Sequence, residues 1–159
     1  MDAFRQFYTD QGDRLFGYLL RRSGNRAVAA DLVQETFTRY LERYRDRPLS
    51  APLLFTMARH LHSDHVRRQR RQVDLAEAVK ATATDDGEHL LIAREESRRV
   101  LAALQQLDED DRDLLAMVAV SGLSYRDIAA VCACSEGSVK VRVHRARQKL
   151  RQLLPAESP

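Results

Sequence analysis

The most informative part of the sequence is residues 123–151, which read LSYRDIAAVCACSEGSVKVRVHRARQKLR. Ser124 and Ser135 each stand directly before a run with helical spacing, the position that N-cap residues favour. The second run is strongly basic, because residues 136–151 contain six Lys or Arg and one Glu. Two short helices joined by a tight turn, with a basic second helix, are typical of a helix-turn-helix.

The second of these helices has one apolar and one polar face. Val139, Val143 and Ala146 recur at helical spacing and are expected to face the core. In a helix-turn-helix the opposite face enters the major groove, where arginine reads guanine, glutamate accepts from cytosine and valine meets the thymine methyl. The candidate base-reading residues are Glu136, Ser138, Lys140, Val141, Arg142 and Arg145. Lys149 and Arg151 are expected to hold phosphates.

The remainder of the chain also has a helical pattern. Apolar residues make up 44% of the 159 residues, and strand-like alternation is almost absent. We predict an all-α fold with two small helical domains, residues 1–71 and 93–155, joined by an acidic linker at 72–92. Basic segments at 59–71 and 136–151 lie on either side of this linker. This pattern favours two contacts with a polyanion, joined by a segment that avoids it.

Three helices are predicted in the first domain. The first is expected to loosen near Gly12, and Asn25 caps the second helix, residues 26–45. A proline-bounded loop at 46–52 precedes a third helix at 53–70. These helices would bury one apolar stripe each, which includes Tyr8 in the first helix and His65 in the third, and leave their polar faces for partners.

Several classes of protein are excluded by what the sequence lacks. No apolar run approaches the roughly 18 residues of a membrane span, and no secretory signal is visible. Cys132 and Cys134 cannot build a disulfide framework. His60, His62 and His65 offer no three-ligand face on one helix, and no catalytic or phosphate-binding motif is present. We expect a cytoplasmic protein without cofactors, without stable membrane insertion and without enzymatic activity.

Three segments of the chain resemble bacterial sigma factors. Residues 31–37, DLVQETF, look like region 2.2, residues 57–68 look like regions 2.3 and 2.4, and residues 123–147 look like region 4. Their order and spacing are similar to the extracytoplasmic-function group, which keeps only domains 2 and 4. The sequence of the third helix, including Asp64-His65-Val66-Arg67-Arg68, most resembles the iron-uptake subgroup.

The resemblance implies a transcription initiation subunit that directs core RNA polymerase to promoters with paired −10 and −35 elements. The second helix would bind the clamp helices of the β′ subunit through Asp31, Gln34, Glu35 and Thr38. The third helix would hold the melted −10 strand through Arg59, His60, Ser63, Arg67 and Arg70, with a base pocket at residues 47–51. Region 4 would read the −35 duplex. The implied partners are core polymerase (β′ and β subunits), promoter DNA and an anti-sigma factor.

Two positions depart from the family pattern. A tryptophan is common where Leu53 stands, and an asparagine is common where His60 stands. Because unstacked bases are usually held by aromatic stacking, Phe55 or the histidines are candidates to replace the missing ring.

Two other functions stay open at this point. A dimeric helix-turn-helix regulator would need a dimer interface and a palindromic site, and it leaves the first 70 residues without a role. A sigma mimic that sequesters an anti-sigma factor would not need the base-reading residues Lys140, Arg142 and Arg145.

Overall fold

The structure is a computed structural model that describes residues 2–76 and 95–154. All regular structure in these two ranges is helical, which confirms the predicted all-α class. The helices are α1 (Asp2–Ser23), α2 (Arg26–Tyr44), α3 (Ala51–Ala76), α4 (Glu95–Gln106), α5 (Glu109–Val120), α6 (Tyr125–Val131) and α7 (Glu136–Leu153).

Several helix ends are set by capping residues that the sequence already shows. The side chain of Asn25 accepts a backbone N–H of α2 at 3.1 Å, and that of Asp108 accepts one of α5 at 2.9 Å. Ser124 and Ser135 do the same for α6 and α7 at 3.1 and 3.0 Å. Gly122 follows α5 with a φ of 73°, the left-handed conformation that glycine adopts without strain. The caps predicted at Asn25, Ser124 and Ser135 are therefore confirmed.

Two predicted features of the first three helices are wrong. Helix α1 continues unbroken through Gly12. Helix α3 is longer at both ends than the predicted 53–70. It begins at Ala51 because the Ser50 hydroxyl accepts the N–H of Leu53 at 3.3 Å. It continues into the predicted linker because residues 71–76 contain no glycine or proline. Residues 77–92 of that linker and the first two residues of the predicted second domain lie outside the described residues, so the domain boundaries stay predictions.

Helices α1, α2 and α3 pack around buried aromatic rings. The Tyr40 hydroxyl accepts the backbone N–H of Ser50 at 2.9 Å, which ties the loop before α3 to α2. Phe55 is fully buried, with its ring 5.6 Å from that of Tyr18. A ring in the core cannot stack on an unstacked base, so the suggestion that Phe55 replaces the missing aromatic side chain is wrong.

The two halves of the protein pack against each other through a continuous buried apolar cluster. This cluster extends from Leu15 and Leu19 of α1 to Leu114 and Met117 of α5 and onward to Ile128 of α6. Helix α1 contacts both α2 and α5, and α3 contacts α6. Burial of each large apolar side chain contributes on the order of 2 kcal/mol. The sequence pattern did not specify this arrangement of the halves.

One histidine of α3 lies in the core of the protein. His62 is 2% exposed, and its Nδ1 has no hydrogen-bond partner within the described ranges. The sequence pattern placed His65 on the apolar stripe, but the structure buries His62 and leaves His65 half-buried. Burial, followed by the positive charge of Arg22, lowers the pKa of His62 to about 3.

The buried His62 predicts a specific pH dependence of stability. In the unfolded chain its pKa is near 6.5, so between about pH 6.5 and 3 His62 is protonated in the unfolded state but neutral in the folded state. Stability should fall as the pH falls through this window, by about 1.4 kcal/mol per pH unit from this group. Urea unfolding at pH 6.5 and 5 should show a smaller loss for His62→Gln than for the original protein.

The control is His60→Gln, which removes an exposed imidazole from the same helix and should keep the original slope. Equal slopes for the original protein and His62→Gln would contradict the prediction.

Candidate nucleic-acid interface

Helix α7 presents its predicted base-reading face to solvent. Val139, Val143 and Ala146 are buried, as the apolar stripe predicted. Of the six candidates, Glu136, Lys140, Val141 and Arg145 are exposed, whereas Ser138 and Arg142 are half-buried. Val141 is 50% exposed, which leaves its methyl groups accessible for contact. His144 is also exposed, one turn from Val141. Sequence reasoning did not select it, because a neutral histidine adds no charge to the helix.

One edge of α7 faces the acidic N-terminus of α5. Asp108, Asp111 and Arg142 are among the residues that line a cavity of about 360 Å³ there. Lys149 Nζ lies 2.8 Å from Asp111 Oδ2 and 3.9 Å from Asp108 Oδ2. The hydrogen bond that Lys149 donates to Asp111 raises the pKa of Lys149. Lys149 was expected to hold a phosphate, but in this structure it pairs within the protein.

Helix α2 carries the second candidate surface. Asp31, Gln34 and Thr38 are exposed on one face of the helix, and half-buried Glu35 is 2.8 Å from the guanidinium of Arg39. The structure therefore brings all four predicted residues together.

A groove of about 470 Å³ between α1 and α2 continues this surface. It is lined by Tyr8, Asp13 and Phe16 of α1 and by Val33 and Gln34 of α2, among others. The Tyr8 hydroxyl accepts a hydrogen bond from the Gln34 side chain at 3.3 Å. Sequence reasoning missed the α1 side of the groove, because Tyr8 belongs to the apolar stripe and was expected in the core.

Helix α3 carries the third candidate surface, and the structure divides its residues into two groups. His60, Arg67 and Arg70 are exposed, with Arg67 paired to Asp64. Arg59 instead contacts Asp113 in the other half of the protein, and Ser63 accepts a hydrogen bond from Arg22 of α1. The proposed base pocket at 47–51 is a loop of exposed residues up to 49, but Ala51 is already helical.

A buried polar cluster joins α1 and α3 to α5. Asp113 of α5 is 2% exposed. Its Oδ2 accepts a hydrogen bond from Arg59 Nε at 2.7 Å, and its Oδ1 accepts one from the Tyr18 hydroxyl. Arg22 Nη1 lies 3.5 Å from the same Oδ1. We call Tyr18, Arg22, Arg59 and Asp113 the interdomain cluster.

Arg22 makes the most contacts in this cluster. Its guanidinium donates to the Tyr18 hydroxyl at 3.2 Å, to the Arg59 carbonyl at 3.1 Å and to the Ser63 hydroxyl at 3.2 Å. Its Nε is buried and has no partner among the described residues. The Arg22 carbonyl in turn accepts from Arg112 at 3.3 Å. The guanidinium is thus held in place by neighbours on α1, α3 and α5.

The cluster changes the acid–base properties of its members. Burial and the negative charge of Asp113 raise the pKa of Tyr18 well above its usual value. Burial alone would lower the pKa of Arg59, but the hydrogen bond and charge of Asp113 outweigh it and raise that pKa. Burial, with the charge of Asp113, raises the pKa of the nearby Cys132 to about 11. Cys132 is therefore a protonated thiol at neutral pH, which argues against a redox switch there.

The sequence reasoning did not assign Asp113 to this cluster. It belongs to the acidic window 108–113, whose sequence alone most simply indicates a cap that favours the positive end of α5. A signal was nevertheless present: Asp113 precedes Met117 by one helical turn and directly precedes Leu114, so its carboxylate falls on the apolar face of its helix.

No helix in the described part of the chain is long and apolar enough to cross a membrane. The described residues also contain no group of three or more His, Cys, Asp or Glu side chains arranged to hold a metal ion.

Comparisons with known proteins agree with this architecture. The Sigma-70 region 2 family matches residues 7–72, and the Sigma-70 region 4 family matches residues 97–150. The ECF RNA polymerase sigma factor EcfG of Rhodopseudomonas palustris is 39% identical over 145 residues, covering 88% of this chain and 78% of that protein. The RNA polymerase sigma factor CarQ of Myxococcus xanthus is 35% identical, covering 96% and 90%.

Two solved structures resemble the whole described fold. The sigma factor RpoE in complex with the anti-sigma factor NepR, from Bartonella quintana, matches with a TM-score of 0.75 at 26% identity, covering 99% of this chain and 100% of that one. CnrH in complex with the cytosolic domain of CnrY matches with a TM-score of 0.68 at 27% identity, covering 99% and 90%.

Sigma factors are initiation subunits that direct RNA polymerase to promoters, and they are not enzymes. On the strength of its two sigma regions, its helix-turn-helix and these relatives, the chain belongs to the ECF family of RNA polymerase sigma factors.

Proposed function

We propose that this sigma factor divides promoter recognition among the three surfaces described above. The α2 face would bind the β′ clamp helices, the α3 face would hold the −10 strand, and α7 would read the −35 duplex. The observation that carries this proposal is that each surface occupies a different helix and that most of the residues assigned to each are exposed. One chain could therefore contact the polymerase and both promoter elements.

The polymerase surface is supported by its mixed chemistry. Exposed Asp31 supplies negative charge, Thr38 and Gln34 supply hydrogen-bonding groups, and the adjoining groove supplies the rings of Tyr8 and Phe16. Protein interfaces typically combine an aromatic centre with a charged rim. We therefore include the α1 side of the groove in the proposed polymerase contact.

The −10 surface is supported by a row of cations along α3. Arg59, Arg67 and Arg70 lie on one side of the helix together with His60 and Ser63. A single strand needs a basic path for its backbone and rings on which its bases stack. His60 is the exposed ring on this face, and we propose that it stacks on a melted base in place of the family's asparagine.

The −35 surface is supported by the geometry of α7. Lys140, Val141 and Arg145 project from the face opposite the buried stripe, and Ser135 fixes the start of the helix. Helix-turn-helix proteins insert such a face into the major groove. Half-buried Arg142 lies beside acidic residues of α5 and would need to leave them to reach a base.

We also propose that an anti-sigma factor regulates this protein, since two structurally similar sigma factors were solved with such partners. Because RNA polymerase and the chromosome lie in the cytoplasm, we place this protein there as well. The iron-uptake subgroup stays a hypothesis that depends on residues 57–68, and it would be tested by comparing iron-starved and iron-replete transcripts after deletion of the gene.

Run-off transcription with purified core polymerase and a library of promoter fragments tests the proposed function. Initiation that depends on this protein and shares a −10/−35 pair supports it. A stable dimer that binds a palindrome without polymerase would instead indicate a regulator. Absence of any promoter recognition, with an anti-sigma factor still bound, would indicate a mimic.

Charge reversal on α2 should weaken polymerase binding. Asp31→Arg places a cation where the proposed interface needs an anion, and we expect core affinity to fall about tenfold or more, which corresponds to about 1.4 kcal/mol. Affinity would be measured by fluorescence anisotropy of labelled protein titrated with core polymerase.

The matched control is Asp10→Arg, which makes the same change at an exposed position of α1 that does not line the groove. It should bind core like the original protein. Equal affinity of Asp31→Arg and Asp10→Arg would contradict the assignment of the α2 face.

Removal of the basic side chains from α7 should abolish recognition of the −35 element. The triple variant Lys140→Ala, Arg142→Ala and Arg145→Ala loses the donors that read base edges, while core binding should remain. The readout is run-off transcription from a promoter with its −35 element intact or scrambled. The original protein should discriminate between the two templates and the triple variant should not.

The control variant Arg5→Ala and Arg43→Ala removes arginines from exposed positions on α1 and α2 and should still discriminate. Retained discrimination by the triple variant would exclude α7 as the −35 reader.

A further inference from the structure

The observed packing and the proposed −10 contact make competing demands on α3. Arg59 donates to Asp113 at 2.7 Å, and Ser63 accepts from the buried Arg22 at 3.2 Å. Arg70 Nη2 also lies 3.7 Å from Glu109 of α5. Because Arg67 is also paired with Asp64, four of the five residues proposed to hold the −10 strand are engaged within the protein, and two of these contacts involve acidic residues of α5.

The groups around Asp113 have the composition of an anion site. The Tyr18 hydroxyl and the guanidinium groups of Arg22 and Arg59 all come from α1 and α3, whereas the carboxylate comes from α5. Guanidinium groups and hydroxyls are the side chains that most often contact DNA phosphates. Arg22 Nε is buried and has no hydrogen-bond partner within residues 2–76 and 95–154, so the contacts with Asp113 leave this donor unused.

We propose that the packed arrangement is a closed state, in which Asp113 occupies an anion site formed by Tyr18, Arg22 and Arg59 that takes a backbone phosphate of the −10 strand once the two halves separate. Asp113 is then an internal competitor of promoter DNA. This inference rests on the proposed function, because it assumes that α3 holds the −10 strand.

The edge of the interface between the two halves is polar, which favours their separation in water. Gln105 donates to the Arg21 carbonyl at 2.7 Å, and Glu109 lies 3.8 Å from Arg22. Each of these groups can hydrogen-bond to water when the halves part. A buried ion pair adds little net stability, because its attraction is offset by the cost of removing both charges from water. The interdomain cluster therefore sets the orientation of the two halves more than it contributes to the free energy of the closed state.

A reversible cross-link can hold the halves together. A Cβ atom built on Gly17 of α1 would lie 3.6 Å from Cβ of Val120 of α5, within the range that disulfides span. The closest other atom is the flexible end of Arg21 at 3.3 Å. Gly17→Cys with Val120→Cys, in a background of Cys132→Ala and Cys134→Ala, should therefore form a disulfide across the closed interface.

The test is run-off transcription by this variant with core polymerase, before and after reduction with dithiothreitol. We expect the oxidised form to be at least about tenfold less active than the reduced form, since it cannot populate the DNA-binding state. A control with Gly17→Ser and Val120→Ser in the same background cannot cross-link and should respond to neither oxidant nor reductant.

The outcomes separate this inference from the proposed function. Equal activity of the oxidised and reduced forms overturns the closed-state inference and leaves the function standing. If neither the original protein nor the reduced variant initiates transcription, the proposed function fails and the inference fails with it.

A second measurement addresses Asp113 itself. Asp113→Asn keeps the size of the side chain but removes the competing charge, so a single-stranded −10 oligonucleotide should bind the polymerase holoenzyme several-fold more tightly. Asp110→Asn, at an exposed position of the same helix, should leave affinity unchanged. Unchanged affinity in a folded Asp113→Asn variant would exclude Asp113 as the competitor. If that variant does not fold, the cross-linked protein still tests whether the closed state lowers transcription.

Discussion

The contact on which the structure depends most is the carboxylate of Asp113 between two guanidinium groups and a phenol. A buried charge is costly unless it is paired and hydrogen-bonded, so α5 can pack here only where Arg22, Arg59 and Tyr18 meet it. These donors come from α1 and α3. One acidic side chain therefore fixes how the second half of the protein lies on the first, while the apolar cluster around it supplies most of the burial.

The packing has different effects on the three functional surfaces. The acidic face of α2 and the outer face of α7 stay accessible in the closed arrangement, whereas α3 has part of its basic row against α5. A protein in this state can meet the polymerase and a −35 duplex before it meets a melted strand. In this arrangement Arg59 and Arg70, which are proposed to bind the −10 strand, also contact acidic residues of the other half of the protein.

Local patterns were sufficient for much of the fold. Asn25, Ser124 and Ser135 predicted the starts of their helices because an N-cap needs only one side-chain oxygen and the backbone that follows it. The buried stripe of α7, and with it the candidate DNA face, followed from helical spacing. The role of Phe55 was mistaken, because spacing alone does not show whether an aromatic side chain belongs to the core or to a binding surface.

The sequence by itself determined the helical class, the helix-turn-helix and the family, since each depends on residues close together in the chain. Only the tertiary structure decided that Asp113 meets Arg59, that Tyr8 borders a groove with Gln34, and that His62 is buried in place of His65. The physical reason is that the contacts of Asp113 and Tyr8 join helices distant in sequence, and the burial of His62 follows from such packing. Their geometry depends on how complete faces pack, and no local spacing encodes that.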